Sequence, residues 1–279
     1  MYAMAYLENR KKVTVQTIVK RKAKGEKIPV LTAYDHFTAR LLDQAGVDIL
    51  LVGDSASNVI HGYETTLPIG MEVMLAHTAA VARGAEAALV VADMPFMSFQ
   101  PSVETAVTNA GRFLKEAGAE AVKIEGGLEM VDTIRRVIEC GIPVMGHIGL
   151  TPQSIHRFGG PKIQGRLEKS QTYLIESAKA LEAAGCFSIV LELMDREVAA
   201  RITKELTTCA TIGIGAGPDC DGQVLVINDI LGLREEGFKP KFLRQYADLP
   251  PIITEAAERF IKDVKAGDYP NDDESYSDK

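Results

Sequence analysis

Short apolar runs recur along the chain, each followed by a segment whose apolar residues repeat at helical spacing, the alternation of βα units around a parallel sheet. The runs are "IPVLTAYD" (28–35), "DILLVGDS" (48–55), "ALVVADMP" (88–95), "AVKIEG" (121–126), "IPVMGHIGL" (142–150), "SIVLELM" (188–194), "TIGIGAG" (211–217) and, less regular than these, "QVLVINDIL" (223–231). Several are apolar on consecutive positions, as parallel strands covered on both faces are. Between them, "SVETAVTNAGRFLKEAG" and "SAKALEAAG" read as helices, and Gly46, Gly84, Gly118, Gly141 and Gly185 sit where a helix should end before the next strand. Eight such units predict a (β/α)8 TIM barrel, with "TVQTIVKRKAKGE" as an extra N-terminal helix covering its bottom. An open doubly wound sheet is the competing arrangement.

Lining up the strand ends brings in chemistry. Asp54 ends the second strand and Asp93 the third; Lys123 and Glu125 sit late in the fourth, His147 late in the fifth, and Glu192 in the sixth. In a barrel these ends converge on one mouth. Lys123 and Glu125 share a face by the period of two, as do Val190, Glu192 and Met194. A carboxylate such as Glu192, set between Leu191 and Leu193, costs several kcal/mol to bury as an ion unless paired, metal-bound or protonated. A lone strand-end Asp is usually a cap and Lys123 with Glu125 an ordinary ion pair, but five strands in succession point to a site.

Asp54, Asp93 and Glu125 are hard oxygen donors without a thiolate among them, which suits Mg²⁺. Such an ion would favour a 2-oxo acid, whose carboxylate and keto oxygens can chelate it. Glu192 is then the candidate base for a proton alpha to the carbonyl, its apolar strand lifting its pKa toward working pH. Ser55, Lys123 and His147 remain to hold a carboxylate and an oxyanion. The glycine-rich "GIGAGPDCDG" resembles a barrel phosphate loop, but such a turn more often serves tight backbone packing without any phosphate. His36, His77 and His156 have no partner at motif spacing, and His61 is a candidate lid residue. The long loop 146–166, dense in glycine and basic residues, has the length of a functional loop.

Composition narrows the partners. The 279 residues carry 31 basic and 38 acidic side chains, a net charge of −7, which argues against nucleic acid or an anionic membrane and for small molecules. The four cysteines lie far apart without zinc spacing and read as reduced thiols. The N-terminus is too polar for a signal peptide, and no apolar run reaches the roughly 20 residues of a membrane span, so a cytoplasmic protein is expected. One barrel domain is expected over 1–268, with 269–279 an acidic, disordered tail.

"KIPVLTAYD", "LLVGDS", "TTLPIGMEVMLAHTAAVARG", "VVADMPFMSF", "AVKIEGG", "GHIGLTPQSIHRFGGPKIQGR", "IVLE" and "GIGAGPDCDGQVLVINDILGL" together resemble the ketopantoate hydroxymethyltransferase family, in order from about residue 14 to 250. The resemblance implies transfer of a hydroxymethyl group from 5,10-methylenetetrahydrofolate to 3-methyl-2-oxobutanoate, giving 2-dehydropantoate on the route to pantothenate and coenzyme A. It also implies a cytoplasmic homo-oligomer, typically a decamer. On the family's pattern the metal residues fall on Asp54, Asp93 and Glu125, the substrate contacts on Asp54, Ser55, Asp93, Lys123 and His147, and the base on Glu192. Two departures stand out: "LMD" follows Glu192 where an apolar residue and proline are usual, and Pro161 replaces an aromatic residue. The competing readings are a Mg²⁺-dependent 2-oxo acid lyase or mutase of the phosphoenolpyruvate type and a catalytically silent, ligand-binding barrel.

Overall fold

The computed structural model describes residues 10–234 and 240–277. The chain divides into two compact units, Met1–Val226 and Ile227–Lys279. The first begins with α1 (Val15–Lys24), then β1 (Ile28–Thr32), α2 (His36–Ala45), β2 (Ile49–Val52), the short α3 (Ala56–Val59), α4 (Met71–Gly84) and β3 (Leu89–Asp93). It continues through α5 (Val103–Ala117), β4 (Ala121–Glu125), α6 (Val131–Glu139), β5 (Val144–Gly149), the single turn α7 (Ile155–Phe158) and α8 (Glu168–Ala184). The last elements of the unit are β6 (Ser188–Glu192), α9 (Arg196–Glu205), β7 (Ala210–Ile214) and β8 (Gly222–Leu225). The eight strands are parallel neighbours in chain order and close on themselves through β1 and β8, so the fold is the predicted (β/α)8 barrel rather than an open sheet.

The barrel interior explains the sequence pattern. Alternate positions of neighbouring strands, Ile28 and Val30, Ile49 and Leu51, Leu89 and Val91, with Ala121, Met145, Val190, Ala210, Ile212 and Val224, form one buried cluster. The intervening residues, Leu50, Val52, Val90, Ala92, Val122 and Ile124 among them, are equally buried, as expected when helices cover the outer face. Below the cluster, Val13 and the fully buried Ile18 of α1 belong to the same packing. Helix α1 is held there by a Thr14–Thr17 capping box and ends on left-handed Gly25 at φ 69°. Burying a side chain such as Ile18 contributes roughly 1.5–3 kcal/mol.

One expectation is corrected. The eighth run is strand only to Leu225; beyond it, Ile227–Ile230 is helical, because β8 finds ladder partners only over Gly222–Leu225 on β1 and at Gly222 and Gln223 on β7. Gly84 ends α4 as expected, as its last helical residue, and a Cβ there would stand 2.3 Å from the His36 carbonyl oxygen. Close approach of α2 to α4, not a turn, therefore demands the glycine.

The second unit contains α10 (Ile227–Ile230) and α11 (Pro250–Ala266), followed by a 3₁₀ turn at Asp272–Glu274. Residues 251–266 of α11 are all exposed, Ile252, Ile253, Phe260, Ile261 and Val264 included. Among the described residues no helix is long and apolar enough to cross a membrane.

Candidate active site

Followed upward, the interior face of several strands changes from apolar to ionisable. Leu89 and Val91 are succeeded by Asp93, Ala121 by Lys123 and Glu125, Met145 by His147, and Val190 by Glu192. The ladder sets these side by side: Asp93 pairs with Lys123, and Glu125 with His147. Asp54 and Ser55 follow β2 after Gly53, so all seven predicted site residues lie at the C-terminal ends of the strands.

Lys123 Nζ stands 2.8 Å from Asp93 Oδ1, an ion pair not directed as a hydrogen bond, 3.8 Å from Glu125 Oε1 and 3.1 Å from His147 Nδ1. His147 Nδ1 lies 3.5 Å from Glu125 Oε1, and its Nε2 lies 3.2 Å from Glu192 Oε2. The Asp54 backbone N–H donates to Asp93 Oδ2 at 3.1 Å. Ser55 is reached from β1's side, its Oγ 2.8 Å from the Tyr34 hydroxyl. Asp54, Asp93, Lys123, Glu125 and His147 are all buried, whereas the Glu192 side chain is 21 % exposed. The expectation that apolar strand neighbours enclose Glu192 is thereby corrected: as the last residue of β6 it opens onto the mouth.

One ammonium among several buried carboxylates sets the electrostatics. Burial, reinforced by Asp93 and Glu125, holds the Asp54 carboxyl well above its ordinary pKa. Burial and Glu125 likewise raise Asp93 despite Lys123. Burial also acts to raise Glu125, yet His147, Lys123 and the Gln153 N–H outweigh it and leave its pKa lowered. Burial and the Lys123 charge act to lower His147, but Glu125 and Glu192 prevail and lift it to about 9. Lys123 is raised above its ordinary value because Asp93, Glu125 and Asp54 overcome its burial.

Among the described residues no three His, Cys, Asp or Glu side chains form a ready-made metal cage. The donor set nevertheless fits a hard divalent cation: three oxygen-bearing carboxylates meet without a thiolate, Asp93 Oδ1 and Glu125 Oε1 are buried without a hydrogen bond, and burial together with neighbouring carboxylates raises the pKa values of Asp54 and Asp93, a crowding of negative charge that a cation would relieve.

Sequence reading passed over several residues that join this cluster. Gln153, in the loop after β5, donates its side-chain amide to Asp54 Oδ2 and its backbone N–H to Glu125 Oε2, both at 3.0 Å. A neutral glutamine carries no charge signal; its place within "GHIGLTPQS" was the available hint. His77, read as having no partner at motif spacing, and His61, read as a candidate lid residue, meet at 3.0 Å between their Nε2 atoms, and His77 Nδ1 contacts the Tyr34 carbonyl oxygen at 2.7 Å. Leu193, in the "LMD" departure, adopts φ 43° directly after Glu192, which ends the strand alternation before Met194. Gly149 at φ 101° faces Glu192 on the ladder, and a Cβ there would lie 2.2 Å from the Glu192 carbonyl oxygen. In the glycine-rich loop after β7, Gly217 packs against Arg196 and its carbonyl accepts from Gln223, a packing role.

Residues 12–272 match the family model described as ketopantoate hydroxymethyltransferase. The chain is 55 % identical over 267 residues to the 3-methyl-2-oxobutanoate hydroxymethyltransferase of Geotalea uraniireducens, covering 96 % of this chain and 99 % of the relative. It is 56 % identical over 268 residues to the protein of the same name from Trichlorobacter lovleyi, covering 96 % and 100 %. Among solved structures it is similar to phosphonopyruvate hydrolase (TM-score 0.60, 12 % identity, 95 % and 92 % of the two chains). It is likewise similar to 2,3-dimethylmalate lyase of the PEP mutase/isocitrate lyase superfamily (TM-score 0.57, 18 % identity, 95 % and 92 %). At those identities the structural likeness concerns the barrel alone. The matches along nearly the whole sequence carry more, and by them the chain belongs to the ketopantoate hydroxymethyltransferase family.

Proposed function

We propose that this chain transfers a hydroxymethyl group from 5,10-methylenetetrahydrofolate to 3-methyl-2-oxobutanoate, giving 2-dehydropantoate for pantothenate and coenzyme A synthesis. The observation that carries the reading is the convergence of Asp93, Lys123, Glu125, His147 and Glu192 at one barrel mouth. Relatives more than half identical over almost the whole chain, named for the enzyme acting on that oxo acid, support it.

Asp54, Asp93 and Glu125 are the residues that would hold Mg²⁺, which when bound supplies a Lewis acid to the oxygens of the oxo acid. Glu192 takes the C3 proton; His147 Nε2 faces its Oε2, which leaves Oε1 for that proton. Lys123 and His147 place positive charge where the enolate oxygen develops, and each tenfold in rate requires about 1.4 kcal/mol of such preferential stabilisation. Ser55, oriented by the Tyr34 hydroxyl, binds the substrate carboxylate. The C3 carbanion then attacks the donor's one-carbon unit, and one water is consumed before product and tetrahydrofolate leave.

The chain works as a homo-oligomer, a decamer as the family resemblance implies; the exposed Ile252, Ile253, Phe260, Ile261 and Val264 of α11 support self-association. Its four unpaired cysteines suit the reducing cytoplasm. Incubating the purified protein with Mg²⁺ and both substrates, and following the product by NMR, tests the reading. Formation of 2-dehydropantoate that requires both substrates supports it; no product under those conditions refutes it.

A further inference from the structure

Gln153 sits in the 3₁₀ turn Pro152–Ser154 and is 6 % exposed. Its backbone N–H and every polar atom of its side chain are engaged. The N–H donates to Glu125 Oε2 at 3.0 Å; Nε2 donates to Asp54 Oδ2 at 3.0 Å and to the Met94 carbonyl oxygen at 2.9 Å; Oε1 accepts from Gln100 Nε2 at 2.9 Å. These contacts permit one amide orientation, because reversing it would turn Oε1 onto a carboxylate and a carbonyl while facing two NH₂ groups at Gln100. A single residue of the β5 loop thus ties the carboxylate that follows β2 to the one that ends β4. Gln153 holds each by one oxygen; Glu125 Oε1, buried without a hydrogen bond, has Lys123 Nζ at 3.8 Å and His147 Nδ1 at 3.5 Å.

We propose that Gln153 is a positioning residue for the divalent cation: by fixing Oδ2 of Asp54 and Oε2 of Glu125 it leaves the opposite oxygen of each as the one available to the ion. Gln100, on the exposed side, locks the amide of Gln153 in the orientation this requires. The inference rests on the reading that Asp54, Asp93 and Glu125 hold a divalent cation. Partners that orient metal ligands without touching the metal typically account for 10–100-fold in metal affinity. Gln153 engages two of the three carboxylates at once, Asp54 through its side chain and Glu125 through its backbone N–H.

The test is Mn²⁺ binding, with free Mn²⁺ read by electron paramagnetic resonance and no substrate present. Gln153→Met keeps the length and removes the donors of the side chain. It should raise the Mn²⁺ dissociation constant by about 10-fold or more, and Gln100→Leu should raise it less. If Gln153→Met does not fold, Gln153→Asn, one methylene too short to reach Asp54, carries the same expectation. An unchanged dissociation constant beside measurable wild-type binding overturns the positioning role, even if thermal stability falls, since a purely structural residue would move the melting temperature alone. Wild-type protein that takes up no Mn²⁺ overturns the cation reading itself.

Discussion

His147 Nε2 and Glu192 Oε2 lie 3.2 Å apart, across the ladder between β5 and β6. The same ring's Nδ1 lies 3.5 Å from Glu125 Oε1, so His147 bridges the candidate base and a candidate metal carboxylate. Two acids on one imidazole explain why it is lifted to about 9 against burial and the Lys123 charge.

A base whose folded-state pKa exceeds its unfolded value, about 6.5 for histidine, contributes stability that is complete below that value and lost as pH rises through the folded one. For His147 the window runs from its ordinary value up to about 9. His147→Gln should therefore melt well below wild type near neutrality, and the gap should narrow as pH climbs through the window. Thermal unfolding of the metal-free pair across that range checks this; a gap independent of pH contradicts it.

Lys123 is the ammonium among Asp93, Glu125 and Asp54. Lys123→Met leaves those carboxylates buried without it, and removing one partner of a buried pair costs about 3–5 kcal/mol. Denaturant unfolding at neutral pH should show a loss of that order, with part recovered at acid pH as Asp54 and Asp93, raised already, take up protons.

Glu192 is followed by a residue in the left-handed region, Leu193, whose N–H donates to the Ile214 carbonyl and whose carbonyl accepts from the Gln164 N–H, both at 2.8 Å. Holding a non-glycine residue there costs about 1–3 kcal/mol. Leu193→Gly removes that strain, so stability should rise or hold while kcat falls as the Glu192 turn loosens. Thermal unfolding and steady-state kinetics read the two effects separately.

Burial and neighbouring carboxylates hold Asp54 and Asp93 above their ordinary pKa values. Mg²⁺ should raise the melting temperature, by the equivalent of about 2.7 kcal/mol at 100 times its dissociation constant, and Asp54→Asn should largely abolish the shift.

How far the sequence revealed this site follows from how a barrel is built. Asp93, Lys123, Glu125, His147 and Glu192 were legible because interior strand positions are otherwise apolar, so a charge near a strand's end stands out. Gln153 and Tyr34 carry no charge and come from loops, and only the folded geometry sets them against Asp54 and Ser55. His61 and His77 lie in a loop and a helix, so no periodicity relates them. Leu193 illustrates another kind of silence, since a leucine gives no sign of left-handed backbone. The exposure of Glu192 depends on its being the last strand residue, and strand ends are what apolar runs define least well.

The most direct test of the account is deuterium exchange at C3 of 3-methyl-2-oxobutanoate, followed by NMR with Mg²⁺ and without folate. Wild-type protein should exchange the C3 proton and Glu192→Gln should not, while still binding the oxo acid. Exchange that persists unchanged in Glu192→Gln would contradict the assignment of Glu192 as the base.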